Sequence, residues 1–262
     1  MDGSLLLEGK TVLVTGAGQG IGRGIARAIA EAGGNVALLD LKPDTMEETA
    51  RLAEEAGGKA LPLVADVTDE VAVRHAIDRT IEAFGRLDGL VNNAGVIKME
   101  SALETTAADW DLHFAVNVRG MFTCCRLAAK RMIEQGSGGS IVNVASNAGK
   151  VGYPNMAAYN ASKAAVISLT RTLAAEWAEH RINVNAVCPG GVDTPMLFAV
   201  AEWVAEKFGG EPAEIYESMK PHQMDRHVRP IEVGRVVAFL LSSHAEIIRG
   251  QSINVDGGDT PY

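Results

Sequence analysis

Short β-branched runs alternate with longer segments of helical period from the start of the chain, and no other feature constrains the fold as much. Thr11 to Val14 is followed by Ile21 to Ala32, Val36 to Asp40 by Asp44 to Glu55, and Ala60 to Val64 by Asp69 to Phe84. Strand and helix in turn read as βαβ units, which lay the strands parallel and cover both faces of the sheet. The first three runs are nearly continuous in apolar residues, as strands buried on both faces require. Gly89 to Val91, Ser140 to Val144, Ile182 to Val187 and Ser252 to Val255 continue the series, with helical patterns over Arg119 to Glu134 and Ala157 to Glu179. The fold class predicted is α/β, a doubly wound seven-stranded parallel sheet of Rossmann type.

With 262 residues, 47% of them apolar, the chain can bury a core that needs no disulfide or metal staple. It shows no internal repeat, and one domain spanning residues 1–262 is the simplest organisation. The segment Pro195 to Arg229 stands outside the alternation. Its Gly209-Gly210 and Pro212 interruptions predict two short helices on a hinged excursion, as in lids over active sites. A formal net charge of -9 with no Lys/Arg cluster argues against a nucleic-acid or anionic-membrane partner. Three cysteines, two of them adjacent at Cys124 and Cys125, suit packed thiols in a reducing compartment. The run Met1 to Glu8 carries an acid where a secretory leader carries bases, and no apolar stretch approaches the ~20 residues of a membrane span. A soluble, cytoplasmic protein is expected.

Between the first strand and the first helix lies Thr15-Gly16-Ala17-Gly18-Gln19-Gly20-Ile21-Gly22. Glycines let the turn tighten and let a pyrophosphate approach the backbone, while the helix N-terminus offers free N–H groups and a partial positive charge. This is how an acidic protein can hold a dinucleotide. Asp40 closes the second strand 18 residues after Gly22, where a carboxylate can accept both hydroxyls of an adenosine ribose and repel a 2′-phosphate. NAD is therefore the expected cofactor, with Lys42 close enough to help a phosphate.

Tyr159 and Lys163 are four residues apart within a helical pattern. That spacing puts a phenol and an ammonium on one face, where the cation would stabilise the phenolate and lower a pKa that is ordinarily near ~10. The pair can serve as a general acid/base. Ser146 lies 13 residues earlier, at the end of the fifth strand and on the carboxyl edge of the sheet, where ligands sit in such folds.

With these motifs in place, the chain resembles the short-chain dehydrogenase/reductase family, in its single-domain branch, from Lys10 to Gly258. Thr15, Gly16, Gly20 and Gly22 match its glycine pattern, which also includes Gln19 and Ile21 here. The resemblance implies that Asp66 and Val67 meet the adenine, that Asn93, Ala94 and Gly95 border the ribose, and that Pro189, Gly190, Val192 and Thr194 hold the nicotinamide carboxamide. It also implies four catalytic residues: Asn117, Ser146, Tyr159 and Lys163. Tyr159 would exchange the substrate hydroxyl proton while hydride passes to or from the nicotinamide, and Ser146 would hold the substrate oxygen. Lys163 would bind the nicotinamide ribose, and Asn117 would anchor a water leading from Lys163 to solvent. Ala145, where a serine is common, departs from the pattern. A homotetramer is implied as well.

Candidates to line the substrate pocket are Ser146, Asn147, Tyr153, Asn155 and Tyr159, with Met196 and Trp203 from the insertion. Amides and a phenol suit a hydroxylated substrate, while Met and Trp suit an apolar wall. The segment after Thr194-Pro195-Met196 and the ending Gly250 to Gly258 look most like sugar-alcohol and acetoin dehydrogenases, with ketoacyl-thioester reductases as the rival. No metal is required: His222 and His227, five apart, suit neither one helical face nor a usual zinc pair. A methyltransferase would have no use for the Tyr-Lys pair. A catalytically silent nucleotide-binding regulator would be expected to have lost one of the four catalytic residues, and all four are present.

Overall fold

The computed structural model describes residues 6–262, so most of the Met1 to Glu8 run lies outside the described residues. Seven parallel strands form one sheet in the order β3-β2-β1-β4-β5-β6-β7. They are β1 (Thr11–Thr15), β2 (Asn35–Asp40), β3 (Ala60–Val64), β4 (Gly89–Asn92), β5 (Gly139–Val144), β6 (Ile182–Pro189) and β7 (Ser252–Val255). The chain reverses direction across the sheet between β1 and β4. That reversal opens a crevice at the carboxyl ends of the central strands.

Between the strands run α1 (Gly20–Glu31), α2 (Pro43–Glu55), α3 (Glu70–Phe84), α4 (Ala107–His113), α5 (Met121–Gln135), α6 (Ala157–Glu176), α7 (Pro195–Phe208), α8 (Pro212–Ser218) and α9 (Pro230–Leu241). The strands alternate their side chains between two cores. Leu13, Leu90, Ile141 and Val184 pack beneath α3, α5 and α6, while Val12, Val14, Val91 and Val187 pack with Ile25 and Ile29 of α1 and Val233 and Val237 of α9. Each such side chain, fully buried, contributes about 1.5–3 kcal/mol.

Three details differ from the sequence reading. β3 is an edge strand, with Val64 63% exposed and Pro62 facing solvent, so it is not buried on both faces. The helix expected from Arg119 begins earlier. α4 starts after Thr106, which forms a capping box with Asp109, and a π-helical turn over Phe114–Gly120 joins it to α5. The two helices expected after Pro195 are present as α7 and α8, and the longer of them has 14 residues.

A buried polar chain ties the central strands to α6. Asn92 Nδ2 donates to Asn143 Oδ1 at 2.9 Å, and Asn143 Nδ2 donates to Thr170 Oγ1 at 2.9 Å. Because each buried amide needs its partner, this chain fixes β4, β5 and α6 in one register beneath the crevice.

Candidate active site

At its carboxyl end, β1 passes through the glycine turn into α1. Gly16 has φ +63°, and a Cβ there would stand 2.7 Å from Ala94 Cα. At Gly22 a Cβ would lie 2.0 Å from Gly16 O, so only glycine lets the helix approach the turn this closely. Asn93 Nδ2 donates to Gly16 O at 2.8 Å, and Thr15 Oγ1 accepts from the backbone N–H groups of Asn93 and Ala94, both at 3.1 Å. The segment after β4 is thereby stitched to the turn. Gln19 provides no side-chain cap for α1 and the first turn holds no acid, which leaves its N–H groups for an anion. Asp40 accepts from Gly18 N at 2.9 Å and from Leu41 N at 2.7 Å, so its carboxylate stands beside the turn at the end of β2. Glycine cradle, uncapped helix end and strand-end carboxylate fit the phosphates and ribose of a dinucleotide.

Of the other expected nucleotide contacts, Thr194 stands directly against this turn, since a Cβ on Gly20 would lie 3.2 Å from Thr194 Cγ2. Ile21 packs against the core and Val67 is buried. Asp66 is partly committed elsewhere: one oxygen accepts from Thr68 N and Thr68 Oγ1, both at 2.8 Å. Val192 is buried and bridges to Val228, which holds the Pro189-Gly190 segment in place.

The catalytic candidates converge on the carboxyl edge of β4 and β5. Ser146 lies two residues past the end of β5, and its Oγ accepts from Ala148 N at 3.1 Å in a short 3₁₀ turn over Asn147–Gly149. Tyr159 and Lys163 are one turn apart on α6. Lys163 is only 5% exposed, and its Nζ donates to Val144 O at 2.9 Å. The ammonium lies 5.7 Å from the Tyr159 ring centroid. Asn117 stands in the π turn, an irregularity that often marks functional positions. Its Nδ2 donates to Val96 O and to Ser162 Oγ, both at 3.0 Å, and its Oδ1 accepts from Val96 N at 2.8 Å. Gly95 closes the group, for a Cβ there would lie 3.2 Å from Asn117 Oδ1 and 3.5 Å from Lys163 Nζ.

The family model described as enoyl-(acyl carrier protein) reductase matches residues 16–260. A short-chain dehydrogenase/reductase of Armillaria gallica is 42% identical over 255 residues, covering 96% of each chain. The chain belongs to the short-chain dehydrogenase/reductase family. A 3-oxoacyl-[acyl-carrier-protein] reductase of Thermotoga maritima is 37% identical over 252 residues, covering 96% of this chain and 98% of the relative. The crystal structure of levodione reductase superposes with a TM-score of 0.92 at 34% identity, covering 98% of this chain and 100% of that one. The protein is thus an oxidoreductase of this family with the Rossmann fold.

Electrostatics in this short-chain dehydrogenase/reductase run against the simple pair argument. Burial pushes the Tyr159 phenol above its usual range, with the Ser146 side chain opposing the rise. Burial also brings Lys163 down to about 8. The expectation that the ammonium lowers the phenol is therefore not met by these groups alone: desolvation dominates at the phenol, and the lysine's hydrogen bond goes to Val144 O.

On the substrate side, Asn147 Nδ2 donates to Tyr153 OH at 2.9 Å, joining the two polar wall candidates. Met196 is exposed near the start of α7, while Trp203, about two turns further on, packs edge-on to Phe208 with centroids 5.9 Å apart. Asn155 has φ +61° and its carbonyl accepts from Glu100 N, which shapes the entry to α6. Tyr216 OH donates to Asp193 at 2.6 Å, and its ring stacks on His227 at 4.2 Å. His227 is buried by that stack, unlike His222, which is exposed. Sequence reasoning missed His113, whose buried ring meets Tyr159 edge-on. Its only sequence signal is a position one turn before Asn117. Among the described residues there is no cluster of His, Cys, Asp and Glu that could hold a metal, and no helix is long and apolar enough to cross a membrane.

Proposed function

We propose that this protein interconverts a secondary alcohol and a ketone with NAD(H), and that its substrate is a polyol, a sugar or an acyloin. The observation that carries the reading is the placement of Tyr159, half-buried beside Ser146 and one turn from a buried Lys163, at the same sheet edge as the glycine turn. A bound nicotinamide would supply the hydride donor or acceptor, held by Gly16, Gln19, Gly20, Ile21 and Gly22 at the phosphates, Asp40 at the ribose, and Pro189, Gly190, Val192 and Thr194 at the carboxamide. Tyr159 transfers the hydroxyl proton, Ser146 holds the oxygen on which charge develops, and Lys163 with Asn117 forms the route by which the proton leaves. Because burial raises the phenol, Tyr159 is protonated at neutral pH, the form that ketone reduction needs. Oxidation should gain rate as the pH rises into the alkaline range.

The Asp40 carboxylate supports NAD over NADP, since it would face a 2′-phosphate across the glycine turn. The segment 195–229, hinged at Gly209-Gly210, is proposed as a cover that carries Met196 and Trp203 over Asn147 and Tyr153. Exposed Trp110, Leu112 and Phe122 on α4 and α5 support burial of this surface by further copies of the chain, as in a homotetramer, and three buried free cysteines suit the cytoplasm. A second reading, 3-oxoacyl-thioester reduction, is favoured by the Thermotoga maritima relative. The test is a kinetic screen of polyols, sugars, acyloins and 3-oxoacyl thioesters with NADH and NADPH. The first reading expects a higher kcat/KM with NADH and turnover of an acyloin, sugar or polyol. Preference for NADPH with turnover confined to thioesters would replace it with the second.

A further inference from the structure

His113 is fully buried at 0% exposure, and no step above uses it. It closes α4, directly before the π turn that carries Asn117. Lys98 N donates to His113 Nε2 at 3.0 Å, and a peptide N–H can only donate, so Nε2 is the bare nitrogen. Nδ1 lies 2.6 Å from Asp109 O, a carbonyl that can only accept, so Nδ1 carries the proton. The ring is thus fixed in one tautomer with both nitrogens committed. Its centroid is 6.2 Å from that of Tyr159, with the two planes 71° apart. Such an edge-on contact resists rotation of the phenol.

The same helix face holds the segment after β4 at a second point. One turn beyond His113, Asn117 engages both the N–H and the C=O of Val96. Val96 and Lys98 are two residues apart, so an extended chain presents them to the same side. His113 and Asn117 therefore clamp this segment at alternate residues across a π turn, where the regular α-helical ladder is interrupted. Within it lies Gly95, against which both Asn117 and Lys163 close.

We propose that His113 is a positioning residue for Tyr159: by bonding Lys98 N and packing its ring edge-on to the phenol, it holds the acid/base against the segment after β4. This rests on the assignment of Tyr159 as the acid/base. The side chain does not touch substrate in this scheme. It sets the phenol's place relative to Ser146, and a small displacement there is costly, since misplacing a reacting group by about 1 Å can slow a reaction by about 100-fold.

The test compares H113L, H113F, H113Q and Y159F in the full-length protein, using the substrate found in the kinetic screen and nucleotide affinity from nicotinamide fluorescence. H113L and H113F should lower kcat by about 10- to 100-fold with nucleotide Kd unchanged. H113Q, whose side-chain oxygen can take the place of Nε2 and accept from Lys98 N, should recover most of that loss. Should H113L fail to fold, H113F against H113Q still decides. If H113F keeps the wild-type kcat, or if H113F and H113Q are slowed alike, the proposal is overturned. Activity in Y159F would instead overturn the acid/base assignment itself, so the two failures are distinguishable.

Discussion

Replacing Lys163 with methionine should abolish turnover without unfolding the protein, and the pH dependence of its stability should reveal why. Burial brings the lysine from 10.5 down to about 8, so keeping an ammonium in the fold at neutral pH costs about 3 kcal/mol. Methionine has a similar length and carries no charge, so it removes that cost. It also leaves Val144 O without the donor that now stands 2.9 Å away, a loss of about 1–3 kcal/mol. At pH ~7, K163M should therefore be as stable as the wild type or more stable by up to about 2 kcal/mol. The sign follows from proton counts. Between about 8 and 10.5 the unfolded lysine is protonated while the folded one is not, so wild-type stability relative to K163M rises with pH across that window. Above it the variant keeps only its missing hydrogen bond and should be the weaker of the two. Urea unfolding of both proteins at equal concentration, at pH ~7 and pH ~10, lets other titrations cancel. A variant destabilised by more than about 2 kcal/mol at neutral pH, with a gap that does not change with pH, would refute the reasoning.

Three further outcomes are expected. Gly22→Ala puts a Cβ 2.0 Å from Gly16 O. It should cost about 1–3 kcal/mol in a thermal or urea transition and weaken nucleotide binding by about 10-fold or more. Asn143→Leu strips Asn92 and Thr170 of their shared partner, and the urea midpoint should fall by the equivalent of about 2–3 kcal/mol with an unchanged slope. Burial pushes the Cys124 thiol up to about 12, and Cys125 higher still. A thiol reagent at mildly alkaline pH should therefore label neither residue until denaturant is added, and rapid labelling of the native protein would contradict that burial.

The parts legible in the sequence were those written as local pattern. Continuous apolar runs marked the strands, and the glycines marked the tight turn between β1 and α1, because backbone geometry dictates those residue types locally. β3 was misread as doubly covered, since an apolar run does not say which strand lies at an edge. The start of α4 was written as Thr106 and Asp109 three apart, a capping signal that the reading passed over. The π turn that places Asn117 has no such mark. At the site, the spacing of Tyr159 and Lys163 gave the shared helix face but not the electrostatics, which depend on how deeply tertiary packing buries both groups. His113 and the stack of Tyr216 on His227 were illegible for the same reason: their partners, Lys98, Tyr159 and Asp193, come from other elements.

The central claim is that Tyr159 carries the proton. Its most direct test is the turnover of Tyr159→Phe, measured beside its affinity for NADH. Phenylalanine keeps the ring against His113 and removes only the hydroxyl. NADH affinity should stay close to that of the wild type and turnover should fall by at least about 100-fold, the contribution of a positioned general acid/base. Substantial residual turnover with intact nucleotide binding would contradict it.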